Sequence, residues 1–264
     1  MKKYLVIGNP IEHSLSPKLH NYWIKKNKID AIYEKKLLTE SDLEKTILKV
    51  KLDEINGINV TVPFKKSVIQ FIDELSIEAK KTQSVNTIYK KDKKIIGHNT
   101  DIAGFELGIR NFKYDVSEKK VLILGAGGVV PSIIFALKKM GASKISLSNR
   151  TRSNAEVIKK IFPDIEIIDW GKTSEFNMII NATSIGLKKD DEIKIDYNNV
   201  GKNKFFYDVI YNPGQTNFLK KAQELGNMNE NGKMMFIYQA HQAFAIWHGI
   251  FPKIDTETIK LIDE

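Results

Sequence analysis

Apolar positions in this chain alternate between two kinds of run. Short continuous or alternating runs have the length of strands, and between them apolar residues recur at helical spacing. Tyr4 to Ile7, Ile32 to Leu38 and Ile58 to Val62 predict the first three strands. Ser16-Pro17 reads as an N-cap followed by proline at the first helical position, so a helix is predicted from about Pro17 to Lys26. Ser41-Asp42-Leu43-Glu44 reads as a capping box that opens a second helix, running to about Val50. Lys65 to Ile72 is helical in period. Val85 to Tyr89 and Ile95-Ile96 flank a lysine-rich turn, as in a hairpin, and a helix is predicted from about Ile102 to Asn111.

The most informative pattern lies between Lys119 and Arg152. Val121 to Leu124 has the length of a buried strand, Gly125-Ala126-Gly127-Gly128 follows, and Ile133, Ile134, Leu137 and Met140 share one helix face. Ile145 to Ser148 reads as the next strand, completing a βαβ unit of the dinucleotide-binding kind. Glycines without Cβ atoms let a pyrophosphate approach the backbone, and the new helix turns its free N–H groups toward it. Pro131 stands in the first helical turn, where a missing N–H costs little. The second strand ends in Asn149-Arg150-Thr151-Arg152. An NAD site usually has a carboxylate there, about 20 residues past the glycines, on the ribose 2′-OH. A neutral Asn149 followed by two guanidinium groups suits a 2′-phosphate instead, which points to NADP. Beyond it, helices are predicted at 153–161, 216–224, 232–247 and 255–262, and strands at 165–168, 178–181 and 205–209. The class is α/β. The pattern changes near residues 105 to 118, which divides the chain into residues 1–105 and a Rossmann-like domain over 106–235.

Composition narrows the function. At 264 residues, 42% hydrophobic and 28% charged, the chain has the makeup of an ordinary globular protein with room for two domains. No run approaches the roughly 18 apolar residues of a membrane helix, and Tyr4 to Ile7 is too short for a secretory core, so a cytoplasmic protein is expected. Without cysteine there is no disulfide or thiolate chemistry, and the five histidines form no close cluster, so no metal is expected. The formal charge of +9 comes from short scattered lysine groups without interleaved aromatics, which read as solvated faces; no nucleic-acid partner is expected. The positive field favours small anions.

Four polar clusters in the first half do not suit a core: Ser14-Leu15-Ser16, Asn59-x-Thr61-x-x-x-Lys65, Asn86-Thr87 and Asn99-Thr100-Asp101. In an open α/β sheet, ligands bind at the carboxyl ends of strands, and three of these clusters fall at or just after such ends. Together they offer hydroxyls, amides, one ammonium and one carboxylate, a set that suits a small polyhydroxy acid.

Nine motifs in order carry a family resemblance. They are Gly8-Asn9-Pro10-Ile11-Glu12-His13-Ser14-Leu15-Ser16-Pro17, Asn59-Val60-Thr61-Val62-Pro63-Phe64-Lys65, Val85-Asn86-Thr87, Gly97-His98-Asn99-Thr100-Asp101, Gly125-Ala126-Gly127-Gly128, Asn149-Arg150-Thr151, Asn181-Ala182-Thr183-Ser184-Ile185-Gly186, Asp208-Val209-Ile210-Tyr211-Asn212-Pro213 and Gln239-Ala240-His241-Gln242-Ala243-Phe244. Over nearly its whole length the chain resembles the shikimate dehydrogenases. The resemblance implies a two-domain fold: an N-terminal α/β substrate domain with a mixed sheet, joined by returning C-terminal helices (236–264), and a Rossmann-like NADP-binding domain, with a cleft between them. It also implies reversible NADP-dependent oxidation of the shikimate 3-hydroxyl to 3-dehydroshikimate, a step of aromatic amino-acid biosynthesis. The partners would be small molecules only, and the chain a monomer or homodimer. Ser14, Ser16, Thr61, Asn86, Tyr211 and Gln239 would contact substrate, the two serines holding its carboxylate. Lys65 and Asp101 would be the catalytic pair, also in contact with substrate. Gly125, Ala126, Gly127, Gly128 and Val129, with Asn149, Arg150, Thr151 and Arg152, would hold NADP, and Val209 and Gly232 would line its nicotinamide end.

Two departures from the family stand out. Gln83-Ser84 replaces a frequent Gly-Ala, for which only a local change is expected. Asn154 stands where an arginine is common, and Arg152 is expected to take over that phosphate contact. The nearest alternative is a quinate/shikimate dehydrogenase using NAD or both cofactors, against which Asn149 and the two arginines argue. Chemically, the hydroxyl must lose a proton as hydride leaves its carbon. Either Lys65 accepts that proton, or Lys65 remains an ammonium that stabilises the developing oxyanion while Asp101 relays it. Sequence leaves both open.

Overall fold

The computed structural model describes residues 1–173, 175–197 and 200–263. It divides into two compact units, Met1–Gly104 with Ile237–Glu264, and Phe105–Phe236.

In the first unit β1 (Lys2–Gly8), β2 (Ala31–Leu37), β3 (Gly57–Val60), β4 (Glu74–Leu75), β5 (Thr87–Lys91) and β6 (Lys94–His98) form one mixed sheet in the order β2-β1-β3-β5-β6-β4. Strands β1, β2 and β3 run parallel, and β5 is antiparallel to both β3 and β6. Residues Tyr4 to Gly8 of β1 are buried, as befits a strand covered on both faces. Successive side chains point to opposite faces. Leu5 and Ile7 join Leu43, Ile47 and Val50 of the helix Leu43–Lys51 in one core. Tyr4 faces a second, aromatic core, with its ring 5.0 Å from Trp247 on the helix Lys233–His248. That helix lies against the sheet at Gly57, where an added Cβ would come within 2.3 Å of the Trp247 indole nitrogen.

The first unit corrects several local expectations. Ser16 is the first helical residue rather than the cap: Leu15 takes the N-cap position without a side-chain bond, and Ser14 Oγ accepts from the Ser16 N–H at 3.3 Å. The capping box lies two residues earlier than expected, between Thr39 and Asp42, and opens a short 3₁₀ turn ahead of the helix. Only Ser67–Phe71 of the expected 65–72 helix is helical, and it is 3₁₀. Phe64 and Val68 are both buried, so the four-residue period there records burial rather than an α-helix. The hairpin is offset toward Thr87–Lys91 and Lys94–His98, turning through left-handed Asp92 and Lys93. The helix Ile77–Thr82 and strand β4 were not anticipated.

In the second unit β7 (Lys120–Leu124), β8 (Lys144–Ser148), β9 (Glu166–Ile168), β10 (Met178–Asn181), β11 (Phe205–Asp208) and β12 (Met228–Glu230) form an all-parallel sheet in the order β12-β11-β10-β7-β8-β9. The short β12 had no strand signal in its sequence. The order reverses between β7 and β10, so the carboxyl ends of these two strands mark the topological switch point where doubly wound sheets bind ligands.

Candidate active site

In the first unit, three polar clusters distant in sequence converge on one buried carboxylate. Lys65 follows β3 in a turn held by the bond from Val85 N–H to the Lys65 carbonyl at 2.8 Å. Its Nζ donates to Asp101 Oδ2 at 2.5 Å, and the two side chains are 11% and 7% exposed. Asp101 opens the helix Asp101–Asn111, where the helix dipole favours negative charge. Its backbone N–H is held by Asn99 Oδ1 at 3.0 Å, and Asn86 Nδ2 donates to its Oδ1 at 2.8 Å. Asn86 is itself fixed, accepting at Oδ1 from Thr100 N–H at 2.7 Å and from the Thr87 hydroxyl at 3.1 Å. Asn59 Nδ2 donates to the Asn86 carbonyl and to Thr87 Oγ1, both at 3.1 Å, and Asn59 Oδ1 accepts from the Tyr33 hydroxyl at 2.7 Å. Thr61, at the end of β3, hydrogen-bonds Ile7 through its backbone, and its methyl packs over Gly8.

In the second unit, the glycine turn sits at the switch point. Gly125 has φ +109°, and an added Cβ would lie 2.7 Å from the Ala182 carbonyl, so only glycine lets the ends of β7 and β10 come this close. An added Cβ at Gly127 would meet nothing nearer than 3.9 Å, which leaves room for a phosphate. The helix Val130–Lys139 starts here with Val129 as an N-cap that makes no side-chain bond and with Pro131 in its first turn. Val130 and Ser132 N–H donate to the Gly127 and Val129 carbonyls at 3.0 and 3.1 Å, and the positive end of the helix dipole here favours a phosphate. After β8, the Asn149 amide donates to the Thr151 carbonyl at 2.7 Å and shapes the turn into the helix Arg152–Ile161. Arg150 is exposed. Arg152 contacts Asp169 Oδ1 at 3.0 Å and Glu156 Oε1 at 3.4 Å, so two carboxylates already share its charge. Gly232 packs on Val209, with an added Cβ only 2.2 Å from the Val209 carbonyl. Tyr211 stacks on Phe236 with centroids 4.4 Å apart. Asp208 accepts from Asn181 Nδ2 and Ile210 N–H, each at 3.0 Å, and from the Thr216 hydroxyl at 2.7 Å; burial pushes its carboxyl up to about 6.

Residues 6–88 match the family described as the shikimate dehydrogenase substrate binding domain, and residues 106–187 match shikimate / quinate 5-dehydrogenase. The chain is 63% identical to the shikimate dehydrogenase (NADP(+)) of Pelagibacter ubique over 99% of both proteins. This chain belongs to the shikimate dehydrogenase family. Its fold also matches the crystal structure of the Aquifex aeolicus shikimate dehydrogenase, with TM-score 0.89 and 35% identity over 99% of this chain and 97% of the other. The Thermus thermophilus shikimate 5-dehydrogenase, solved with NADP(H) and shikimate, matches at TM-score 0.89 and 27% identity over 100% and 98%.

For a member of this family, the sequence-predicted residues fall into separate groups. Lys65 and Asn86 both contact Asp101, and Ser16 is buried at the start of the helix Ser16–Lys26. Ser14 and Thr61 stand at strand and helix ends nearby in sequence, Gln239 lies on the helix Lys233–His248 in the first unit, and Tyr211 belongs to the second unit. Tyr33 had not been singled out: it occupies an ordinary apolar place in an alternating strand, and only its hydroxyl's partners distinguish it. Among the described residues, no cluster of His, Asp and Glu could hold a metal ion, and no helix is long and apolar enough to cross a membrane.

Proposed function

We propose that this chain is an NADP-dependent shikimate dehydrogenase that reversibly reduces 3-dehydroshikimate to shikimate, in the cytoplasm and within aromatic amino-acid biosynthesis. The observation that carries the reading is the buried Lys65–Asp101 contact, braced by Asn86, in a chain 63% identical to an NADP(+) shikimate dehydrogenase. When bound, NADPH supplies the hydride. Lys65 gives the proton: an ammonium held at 2.5 Å by a carboxylate is a donor, and the ketone oxygen gains that proton as charge develops on it. In the oxidative direction Lys65 takes the proton back from the 3-hydroxyl. Asp101 keeps the ammonium oriented and offsets its charge in a buried setting, and Asn86 fixes the other oxygen of that carboxylate.

Ser14 and Ser16 hold the substrate carboxylate, with Thr61, Asn86, Tyr211 and Gln239 completing the substrate contacts. The room at Gly127 and the start of the helix Val130–Lys139 fit the pyrophosphate of NADP. Gly125 to Val129 form that cradle, Asn149 to Arg152 receive the 2′-phosphate, and Val209 and Gly232 line the nicotinamide end. The test is formation of NADPH from NADP+ with shikimate as substrate, repeated with quinate and with NAD+. Turnover with shikimate and NADP+ well above the other pairings supports the reading. Preference for quinate or NAD+ would move the protein to the quinate/shikimate class, and tight NADP binding without turnover would make it a binding protein.

A further inference from the structure

Asp208 is buried at the end of β11, and the chemistry proposed above makes no use of its carboxyl. A carboxylate held out of water is costly unless its oxygens are paired, and here the donors are neutral. Its Oδ1 accepts from the Ile210 N–H and from Asn181 Nδ2, each at 3.0 Å, and its Oδ2 meets the Thr216 hydroxyl at 2.7 Å. Two of these directions are forced. A backbone N–H can only donate. The Asn181 amide has its nitrogen toward Asp208, because that nitrogen also reaches the Ile185 carbonyl while the amide oxygen accepts from the Thr183 N–H. Oδ1 is therefore an acceptor twice over, whichever way the Thr216 hydroxyl turns.

The bond to Ile210 fixes more than one atom. A peptide unit is planar and turns as a whole, so holding the Ile210 N–H also sets where the Val209 carbonyl points. Gly232 packs on that carbonyl and donates its own N–H to the Ile210 carbonyl at 3.1 Å. Resting on the reading above, in which Val209 and Gly232 line the nicotinamide end of the cofactor, we propose that Asp208 is a positioning residue: it sets the plane of the Val209–Ile210 peptide and thereby the placement of the nicotinamide for hydride transfer. What is required is an acceptor at Oδ1 rather than a charge. An asparagine with its oxygen at that place keeps both bonds and turns its NH2 to the Thr216 hydroxyl, which then accepts. The effect is also confined to one end of the cofactor. Asn181 keeps its bonds to Ile185 and Thr183 without Asp208, so Ala182 and the Gly125 turn that packs on it stay in place.

The test compares the wild type, Asp208→Asn and Asp208→Leu in three measurements. These are kcat with shikimate and NADP+, hydrogen exchange of the Ile210 amide by NMR, and the calorimetric Kd of adenosine 2′,5′-bisphosphate, which carries the 2′-phosphate and no nicotinamide. Asp208→Leu is expected to lower kcat by about tenfold or more, the effect of a small misplacement of reacting groups, and to speed exchange at Ile210, with the Kd of the fragment unchanged. Asp208→Asn restores kcat and slow exchange. An unchanged kcat or unchanged Ile210 exchange in Asp208→Leu, or an equal loss in Asp208→Asn, overturns the proposal. So does weakened binding of the fragment in step with kcat, which marks general damage to the domain. If Asp208→Leu fails to fold, replacing Ile210 by its α-hydroxy acid removes only that N–H; kcat then falls with the Kd of the fragment unchanged, and a wild-type kcat overturns the proposal. A wild-type protein without shikimate turnover overturns the underlying reading instead, a result distinct from turnover that survives these changes.

Discussion

The ammonium of Lys65 lies 2.5 Å from the Asp101 carboxylate, and neither side chain is more than 11% exposed. Taking two charges out of water is expensive, and the pair is sustained because the carboxylate also accepts from Asn86. Such an arrangement holds a proton donor in one place. Lys65→Met is therefore expected to lower kcat by about a hundredfold or more, with a much smaller change in KM. Removing the partner of a buried carboxylate also lowers the melting temperature, so kinetics are measured well below it. A raised KM at unchanged kcat would show that Lys65 contributes only uniform binding and would remove it from the chemistry.

The two arginines after β8 are not equivalent. Arg152 is shared between Asp169 at 3.0 Å and Glu156 at 3.4 Å, whereas Arg150 is exposed. A guanidinium already compensated by two carboxylates has less to offer a phosphate. Arg150→Ala is expected to raise the KM for NADP+ about tenfold, the loss of a charge-assisted contact worth about 1.4 kcal/mol, and to leave that for NAD+ little changed. Arg152→Ala is expected to do less. Equal sensitivity of both cofactors to Arg150→Ala would mean that it does not read the 2′-phosphate.

Much of this could be read along the chain, and the failures have physical reasons. The parallel βαβ unit was legible because its strands are buried on both faces and glycine punctuates its first turn at Gly125, where no side chain fits against Ala182. Lys65, Asn86 and Asp101 were legible as polar residues that do not suit a core. What joins them was not. Tyr33 and Thr87 act through hydroxyls that meet Asn59 across the sheet, and the Asn59–Tyr33 contact links residues 26 apart in sequence. Ser16 looked like an N-cap because its residue type fits, but the chain enters the helix one residue earlier, at Leu15. The helix Ile77–Thr82 escaped notice because it buries only Ala79 and Thr82 and exposes Ile77, so it has no apolar stripe.

Gln83 illustrates a local departure with a measurable cost. It ends the helix Ile77–Thr82 in the left-handed region, at φ 50° and ψ 40°, where glycine fits without strain, and this is a position at which the family often carries glycine. A non-glycine residue there costs roughly 1 kcal/mol. The exposed Gln83 side chain recovers part of this by donating to the Lys80 carbonyl at 2.7 Å. Gln83→Gly is expected to raise the unfolding free energy by about 0.5 kcal/mol, read from urea midpoints at constant slope. A lower midpoint would show that the Lys80 contact outweighs the backbone strain.

His20 sets an acid limit on stability. It is 1% exposed among Tyr33, Trp23, Phe244 and Trp247, and burial pushes its imidazole down to about 3. Burial likewise pushes His248 down to about 4. An unfolded histidine takes up a proton near pH 6.5, so below that pH the unfolded chain gains protons that the folded chain refuses, and stability falls as the solution is acidified. Asp208 works in the opposite sense: with its carboxyl lifted to about 6, the folded chain keeps a proton between about pH 4 and 6 that the unfolded chain releases, so stability falls there as pH rises. Two histidines against one carboxyl make the net slope unfavourable toward acid. Both ring nitrogens of His20 lack a hydrogen-bond partner among the described residues, so an apolar ring removes two unpaired groups while retaining the stack on Tyr33. His20→Phe is therefore expected to stabilise the protein more at pH 5 than at pH 8. The difference is about 2 kcal/mol, the linkage for one group held neutral in the folded protein at a pH about 1.5 units below its unfolded value. Urea unfolding at the two pH values checks this, and an equal gain at both would mean that His20 already carries its proton in the folded protein.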